Sequence, residues 1–253
     1  MGKADGESTS PVRILSFNNA GVNPVYANAG RLAQEGIPGT GADVFGLQEV
    51  AEGAIPQFHG YTRITGDWTG SEYLPVYFRS DRFDLLAEIS LGLPQDPRDH
   101  LVWEEVVYGP FRRGFTGVRL RERDSGRTLV LINTHLGLGG SAADHVTEIV
   151  RLSESFRQDA DLVVLAGDFN HDRRQPSGQI PPPGFSDGNC DGDLTPTKPV
   201  ADGAGTVIDY LFFLGGNIRS TDYTVHRDIL SDHHGVSALF HFRTGQRRAS
   251  GEC

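Results

Sequence analysis

Short runs of apolar residues recur along the chain, and most of them end in a small polar cluster. Residues 12–17 alternate and are rich in β-forming residues, which predicts a strand that ends at Asn18. Residues 43–47 predict the next strand, and the continuous apolar character after Asp43 is typical of a strand covered on both faces. The same reasoning predicts further strands over residues 161–166, 206–214 and 235–242.

Paired strand patterns indicate two hairpins. Residues 73–78 and 83–89 predict one hairpin, with residues 79–82 as its turn. Residues 115–121 and 128–133 predict the second, across a short polar turn that contains glycine.

Helical spacing is confined to a few stretches. A short helix is expected over residues 29–35, ended by Gly36, and a longer one over residues 141–158 with Ser141 as its N-cap. Residues 173–205 lack periodicity, and a loop of this length in a compact domain is usually functional or mobile. Strands and helices in this mixed order predict an α/β sandwich.

The domain organisation follows from the absence of a Pro/Gly/Ser-rich linker. We predict one domain over residues 12–242, preceded by a disordered segment over residues 1–11 and followed by a disordered tail over residues 243–253. No run approaches the ~20 apolar residues of a membrane span. The polar start lacks the apolar core of a signal peptide, so we expect either a cytoplasmic protein or the mature part of an exported one. We also expect a monomer.

Charge and cysteine content narrow the function. The net charge of -10 argues against a protein that coats nucleic acid, although a bound divalent cation can reverse the field locally. Two cysteines, Cys190 and Cys253, cannot form a cysteine-based zinc site or a disulfide scaffold. A single bridge between them and two unpaired thiols are both compatible with the sequence. Lysine occurs only at Lys3 and Lys198.

The polar clusters are the main functional signal. Carboxylates, asparagines and histidines delivered from the ends of several strands are what a metal-assisted attack on a phosphorus ester requires. The clusters are Phe17-Asn18, Leu47-Gln48-Glu49, Thr134-His135-Leu136, Gly167-Asp168-Phe169-Asn170, Asp209-Tyr210 and Ser231-Asp232-His233.

In this order, over nearly the whole chain, the clusters resemble the endonuclease/exonuclease/phosphatase superfamily, which has the DNase I-like fold. The resemblance implies a four-layer sandwich of two mixed β-sheets packed face to face, with helices on the outside. It also implies a hydrolytic site that depends on Mg²⁺, for which Mn²⁺ is a possible substitute. Glu49 would be the principal metal ligand, with Asn18 and Asp232 binding directly or through water. Such oxygen ligands suit Mg²⁺.

The resemblance also implies catalytic roles. His233 would be the base or proton relay for the attacking water, held in its tautomer by Asp209. Asp168 and Asn170 would position the nucleophile and the phosphoryl oxygens. His135 would contact the phosphate or protonate the leaving group.

His135 places the chain on the branch that resembles DNase I-like nucleases, sphingomyelinases, inositol phosphatases and deadenylases. In DNase I-like members a glutamate before a tyrosine-rich strand pairs with this histidine, and Glu72 is the matching residue. Pro75 inside that strand is a departure, which an edge strand tolerates. Arg112 and Arg113 would contact a substrate phosphate or form a solvated basic pair.

The sequence therefore predicts hydrolysis of a phosphodiester by an activated water, with nucleic acid, held transiently, as the first substrate class. A small phosphorylated metabolite or a lipid head group is the alternative substrate. A member repurposed for binding or for non-hydrolytic chemistry is the alternative of another class. His171 and His234 adjoin the clusters but are expected on the opposite face, without a role.

Overall fold

The computed structural model describes residues 10–20, 29–51, 53–66, 72–94, 101–103, 106–108, 112–137, 142–174, 180–200 and 205–243. Its strands are β1 Val12–Asn18, β2 Val44–Gln48, β3 Tyr61–Ile64, β4 Val76–Arg79, β5 Phe83–Gly92, β6 Leu101–Trp103, β7 Val106–Tyr108, β8 Gly114–Glu122, β9 Thr128–His135, β10 Leu162–Asp168, β11 Ser186–Asp187, β12 Asp209–Leu214, β13 Ile218–His226 and β14 Gly235–Phe242. Its helices are α1 Ala29–Gly36, a 3₁₀ helix Ile37–Thr40, α2 Ala142–Leu152 and α3 Glu154–Arg157.

Two six-stranded sheets form the centre of the molecule. The first has the order β13-β14-β1-β2-β4-β3, and the second has the order β11-β12-β10-β9-β8-β5. β1 pairs with β2 and β9 pairs with β10 in parallel, and the other pairs within these sheets are antiparallel. β6 and β7 form a small separate ribbon.

Apolar side chains fill three layers between the elements. The central core joins the inner faces of both sheets, with Ile14 and Val76 from the first sheet against Leu131 and Val164 from the second. A second cluster packs α2 and α3 on the outer face of the second sheet. A third packs α1 on the outer face of the first. The predicted four-layer α/β sandwich is therefore confirmed.

The hairpin predicted over residues 73–78 and 83–89 is wrong. β4 lies between β2 and β3 in the first sheet, whereas β5 pairs with β8 in the second, so the turn crosses from one sheet to the other. Arg82 stabilises this crossing, because its guanidinium contacts Asp43 at 2.7 Å and Glu122. Pro75 precedes β4, and its carbonyl accepts the Leu47 N–H.

Other elements differ in extent. The helix predicted over residues 141–158 breaks at Ser153, whose hydroxyl donates to the Ile149 carbonyl at 2.7 Å. β3, β6, β7, β11 and β13 have no predicted counterpart, and β11 lies within the segment 173–205, for which the sequence predicts a loop. β13 carries Arg219 and Asp222 among its apolar residues, which masks its strand pattern. The hairpin β8–β9 and the final strand Gly235–Phe242 are confirmed.

Several predictions fall on residues that the structure does not describe. These are the terminal segments over residues 1–9 and 244–253 and the Ser141 cap. Cys253 lies in the second of these segments. Cys190 is disulfide-bonded, so it is not an unpaired thiol. Among the described helices, none has the length and apolar character needed to cross a membrane.

Candidate active site

Pairing register brings the polar clusters to one edge of the two sheets. His135, Asp168 and Asp209 are neighbours across β9, β10 and β12. Directly paired residues project from the same face of a sheet, so these three side chains lie in a row. In the first sheet the end of β1, Asn18, pairs with the end of β2, Gln48.

Asn18 connects the two sheets at this edge. Its amide nitrogen donates to Glu49 Oε1 at 3.1 Å and to Asp168 Oδ2 at 3.0 Å. Its amide oxygen accepts the Ala20 N–H at 2.9 Å. The buried amide therefore separates two carboxylates that would otherwise repel each other.

Glu49 is a largely buried carboxylate close to two others. Its backbone has a left-handed φ of 52°, and its N–H donates to Glu72 Oε2 at 2.6 Å. Burial, and then the negative charges of Glu72 and Asp168, raise the pKa of Glu49, although His135 and Asn18 oppose the shift. A cation near Glu49 would stabilise its carboxylate form and so offset the rise in pKa.

His135 is held from both sides. Its Nδ1 lies 2.7 Å from Glu72 Oε1, to which Arg113 Nη1 also donates at 2.8 Å. Its Nε2 lies 3.0 Å from the amide nitrogen of Asn170. The neutral ring satisfies both contacts if Nδ1–H donates to Glu72 and Nε2 accepts from Asn170. Burial raises the pKa of Glu72, but His135 and Arg113 outweigh it, and the pKa lies below its usual value.

Asp168 lies between the two site histidines. Its Oδ1 accepts the Asn170 N–H at 2.8 Å, and its Oδ2 lies 3.5 Å from His135 Nε2 and 3.6 Å from His233 Nε2. Burial raises the pKa of Asp168, but the two rings outweigh it and the net shift is downward. Asp168 therefore remains a carboxylate between two imidazoles.

His233 and Asp209 form a fully buried pair. His233 Nδ1 lies 3.0 Å from Asp209 Oδ2, and the Thr197 hydroxyl oxygen accepts the Asp209 N–H at 3.1 Å. Burial lowers the pKa of His233, but Asp209 and Asp168 outweigh it and raise the pKa to about 9. Burial, against the effect of His233, also raises the pKa of Asp209. Both shifts favour retention of the proton on this pair.

Lys198 is the site residue that sequence reasoning missed. Its Nζ lies 3.0 Å from His233 Nε2 and 3.6 Å from Asp232 Oδ2. An ammonium only donates, so a hydrogen bond from Lys198 to Nε2 needs the neutral ring with Nε2 as the acceptor. Against the effect of burial, however, Asp209 and Asp168 raise the pKa of His233 and so favour the protonated ring. The rarity of lysine was the available signal, since only two of the 23 basic residues are lysines.

Asp232 lies on a turn anchored to β1. The Ser231 hydroxyl donates to the Asn18 carbonyl at 2.8 Å, and its oxygen accepts the His233 N–H at 3.2 Å. Within the described part of the chain, the buried Oδ1 of Asp232 has no hydrogen-bond partner. A buried acceptor of this kind is explained by an ion or a water.

The residues fit a divalent metal in their chemistry. Glu49 and Asp232 offer carboxylate oxygens, one of which, Asp232 Oδ1, is unsatisfied. Asn18 directs its NH₂ group at Glu49 and its oxygen at the Ala20 N–H, so in this arrangement it would bind the cation through water. Asp168, Asp209 and His233 also have ligand atoms within 4.8 Å of one another. In that group His233 Nδ1 already contacts Asp209, and Lys198 occupies its Nε2.

The remaining predicted residues lie around this centre. Arg112 is exposed, whereas Arg113 is buried against Glu72, so Arg113 is not part of a solvated pair. The His171 carbonyl accepts the Tyr210 hydroxyl at 2.7 Å. The His234 N–H donates to the Thr197 carbonyl at 2.6 Å, and burial lowers the pKa of its ring.

Comparisons with known proteins identify relatives at the level of structure. No protein-family model matches the chain, and no curated protein matches its sequence. An endonuclease/exonuclease/phosphatase family protein from Bacteroides thetaiotaomicron superposes with a TM-score of 0.74 at 17% identity, covering 96% of this chain and 99% of that one.

Two further structures carry more specific names. A mannosyl-6-phosphatase from B. thetaiotaomicron has a TM-score of 0.69 at 18% identity, with 90% of this chain and 99% of that one covered. TDP2 from D. rerio, complexed with a single-strand DNA product, has a TM-score of 0.71 at 17% identity, with 92% and 99% covered. This chain therefore has the fold of the endonuclease/exonuclease/phosphatase proteins.

Proposed function

We propose that the protein is a metal-dependent phosphoesterase that hydrolyses a phosphodiester, with nuclease-like activity as the first choice. The observation that carries the proposal is the arrangement around Asp168, whose Oδ2 lies 3.5 Å from His135 Nε2 and 3.6 Å from His233 Nε2. Two histidines and a carboxylate at these distances provide a base and an acid for one reacting group.

His233 acts as the base in this proposal. Asp209 receives the hydrogen bond from Nδ1 and so fixes the tautomer whose Nε2 accepts a proton. An attacking water near Asp168 would give its proton to Nε2 once Lys198 leaves that atom. Asn170 orders this region, because its amide donates to the Leu136 carbonyl at 2.9 Å and contacts His135.

His135 acts at the leaving group. Its Nδ1 is committed to Glu72, so Nε2 is the atom that faces the phosphate, and it donates a proton to the leaving group from the doubly protonated ring, in which Nε2–H replaces the contact with the Asn170 amide. Arg113 orients this pair from within the protein, since it is buried and bonded to Glu72. The exposed Arg112 remains a candidate for contact with the substrate.

Glu49, Asn18 and Asp232 would hold Mg²⁺, with Mn²⁺ as a substitute. When bound, the cation supplies positive charge to the phosphoryl oxygens and makes coordinated water more acidic. The amide of Asn18, between Glu49 and Asp168, also orients both carboxylates.

A small phosphorylated substrate is the second candidate. The similar fold of a mannosyl-6-phosphatase supports it, as the similar fold of DNA-bound TDP2 supports the first. A protein used only for binding is disfavoured, because it would have no physical need for Glu49, Asp168, Asp209 and His233 together.

The test is hydrolysis of a panel containing nucleic acid, bis-p-nitrophenyl phosphate and phosphomonoesters, with Mg²⁺ at low salt. His233→Ala and Asp168→Ala should each lower turnover by at least ~10²-fold, the lower range for a positioned acid or base. His234→Ala serves as the matched control and should be nearly silent.

Three results would contradict parts of this proposal. Full activity after EDTA treatment and buffer exchange would exclude the metal. Activity of both variants within a few-fold of wild type, with unchanged circular dichroism, would exclude the catalytic assignment. Monoester hydrolysis without nucleic-acid cleavage would favour the small-molecule substrate.

A further inference from the structure

Lys198 combines a fixed backbone with an extended side chain. Its backbone forms a bridge to Thr206, with both N–H···O distances at 2.9 to 3.0 Å. The side chain is 41% exposed, while the ammonium lies 3.0 Å from the buried His233 Nε2. The chain thus holds the stem in place and leaves the charged end room to move at the centre of the site.

Among the described residues, the site has more carboxylates than cationic side chains, so an anionic substrate needs a cation that can move to it. Five carboxylates meet there, from Glu49, Glu72, Asp168, Asp209 and Asp232. Arg113 is buried and bonded to Glu72, so it compensates a charge inside the protein. An anionic substrate that approaches these carboxylates needs positive charge at the point of reaction.

The position of the ammonium also conflicts with the proposed reaction. His233 Nε2 cannot accept a proton from water while it accepts a hydrogen bond from Lys198. A phosphoryl oxygen carries negative charge. An ammonium therefore forms a stronger hydrogen bond with a phosphoryl oxygen than with the nitrogen of a neutral imidazole. Arrival of substrate would therefore draw Lys198 away and open Nε2.

We propose that Lys198 is a substrate-binding residue whose ammonium transfers from His233 Nε2 to a non-bridging oxygen of the reacting phosphoryl group. The proposal rests on the phosphoesterase function given above. A lysine suits this task because its ammonium is a compact charge on a flexible stem, whereas arginine presents a planar fork.

The experiment compares wild type with Lys198→Met, Lys198→Arg and Arg219→Ala. Arg219 is exposed on β13, near the end that pairs with His241, so its variant loses the same charge away from the site. Bis-p-nitrophenyl phosphate is the substrate, because it carries no phosphate other than the reacting one. Binding of orthophosphate, measured by calorimetry, gives a readout that does not need turnover.

We expect Lys198→Met to lower kcat/KM by roughly 10- to 100-fold, as for loss of a hydrogen bond to a charged group. Its affinity for orthophosphate should fall by a similar factor. Lys198→Arg should recover part of both losses, and Arg219→Ala should match wild type. If the methionine variant melts early, Lys198→Gln takes its place.

Values for Lys198→Met within threefold of wild type in both measurements would overturn the inference. A loss seen with nucleic acid but not with the small diester would also overturn it, because Lys198 would then contact a remote phosphate. A wild type inactive on every ester refutes the phosphoesterase function instead, and the orthophosphate measurement still decides whether Lys198 binds phosphate.

Discussion

Gly167 has no side chain, yet it decides where two site residues lie. Its φ is 151°, and a Cβ at this position would lie 2.0 Å from the Thr134 carbonyl oxygen. Any larger residue would push β10 away from β9, and this pairing places Asp168 beside His135. The Gly-Asp sequence is therefore a backbone requirement as well as a chemical one.

Glu72 links the stability of the fold to the geometry of His135. Replacing it with glutamine removes the charge that Arg113 and His135 share, although both remain buried. We expect Glu72→Gln to lower the free energy of unfolding by about 3–5 kcal/mol, the range for breaking a buried ion pair. Urea unfolding at neutral pH measures it, with Glu148→Gln in the surface pair to Arg151 as a control that should cost at most about 1 kcal/mol.

The pH dependence of this effect has a defined sign. The folded pKa of Glu72 lies below its ordinary value of 4.5, so its contribution is complete above that value and is lost as the pH falls through the lower folded pKa. The difference between wild type and Glu72→Gln should therefore shrink in acid. A difference that grows on acidification would contradict this assignment.

Individual site residues were more predictable than their contacts. Glu49 and Asp168 follow strand-like runs, so their placement at strand ends could be inferred from the pattern, whereas His233 lies on the turn before β14. Lys198 could not be placed, because it lies in a long segment without periodicity. The burial of Arg113 depends on Glu72, which is 41 residues earlier in the chain, and local pattern carries no such information.

A cluster of hydrogen-bonded polar side chains between the two sheets holds the strand ends that carry the site. Gln48 Nε2 donates to Asn133 Oδ1 at 2.6 Å and contacts the Ser16 hydroxyl at 3.2 Å. Asn133 Nδ2 donates to the Leu47 carbonyl at 2.8 Å. All of these groups are buried, so the cluster fixes the end of β2, where Glu49 follows, against β9.

Gly46 makes room for this cluster. An alanine Cβ there would lie 2.4 Å from Asn133 Cγ, so Gly46→Ala forces Asn133 out of its hydrogen bonds. We expect a loss of about 1–3 kcal/mol in the free energy of unfolding, as for an overpacked core, together with reduced turnover. Denaturant unfolding and the diester assay measure both.

Gly39→Ala is the matched control, because nothing lies within 4 Å of the corresponding Cβ. It should leave stability and activity nearly unchanged. If Gly46→Ala proved as harmless as Gly39→Ala, the close contact between Gly46 and Asn133 would not exist in solution.

The sequence pattern predicts several strands correctly, but only one of the two predicted hairpins, β8–β9, is present. Gly235–Phe242 was predicted with the correct ends, since its apolar alternation is uninterrupted. β4 and β5 were assigned to one hairpin because a short polar turn joins them. Their separation into two sheets depends on the contacts of Arg82 with Asp43 and Glu122, which are remote in sequence.

The distribution of charge links the whole fold to the cation. The chain has a net charge of -10, and five of its carboxylates lie together at the edge where both sheets end. Folding brings these charges together from the end of β2, the segment before β4, the end of β10, the start of β12 and the turn before β14. The folded protein should therefore be stabilised by a divalent cation to an extent that the unfolded chain is not.

Glu49 allows this expectation to be tested without any substrate. Burial and the neighbouring carboxylates raise its pKa, so the charged form destabilises the metal-free fold at neutral pH. In EDTA, Glu49→Gln should unfold at the same temperature as wild type or a higher one. With Mg²⁺ at 100 times its Kd, wild type should gain about 2.7 kcal/mol, and Glu49→Gln should gain far less.

Differential scanning calorimetry with EDTA and with increasing Mg²⁺ measures both effects. Glu88→Gln removes an exposed carboxylate from β5 and should keep the full response to Mg²⁺. An equal Mg²⁺ shift in wild type and Glu49→Gln would mean that the cation binds elsewhere. A strongly destabilised Glu49→Gln in EDTA would mean that Glu49 stabilises the fold rather than binding the metal. Without a cation, burial and the neighbouring carboxylates disfavour the charged Glu49, so its replacement by glutamine should not lower the stability.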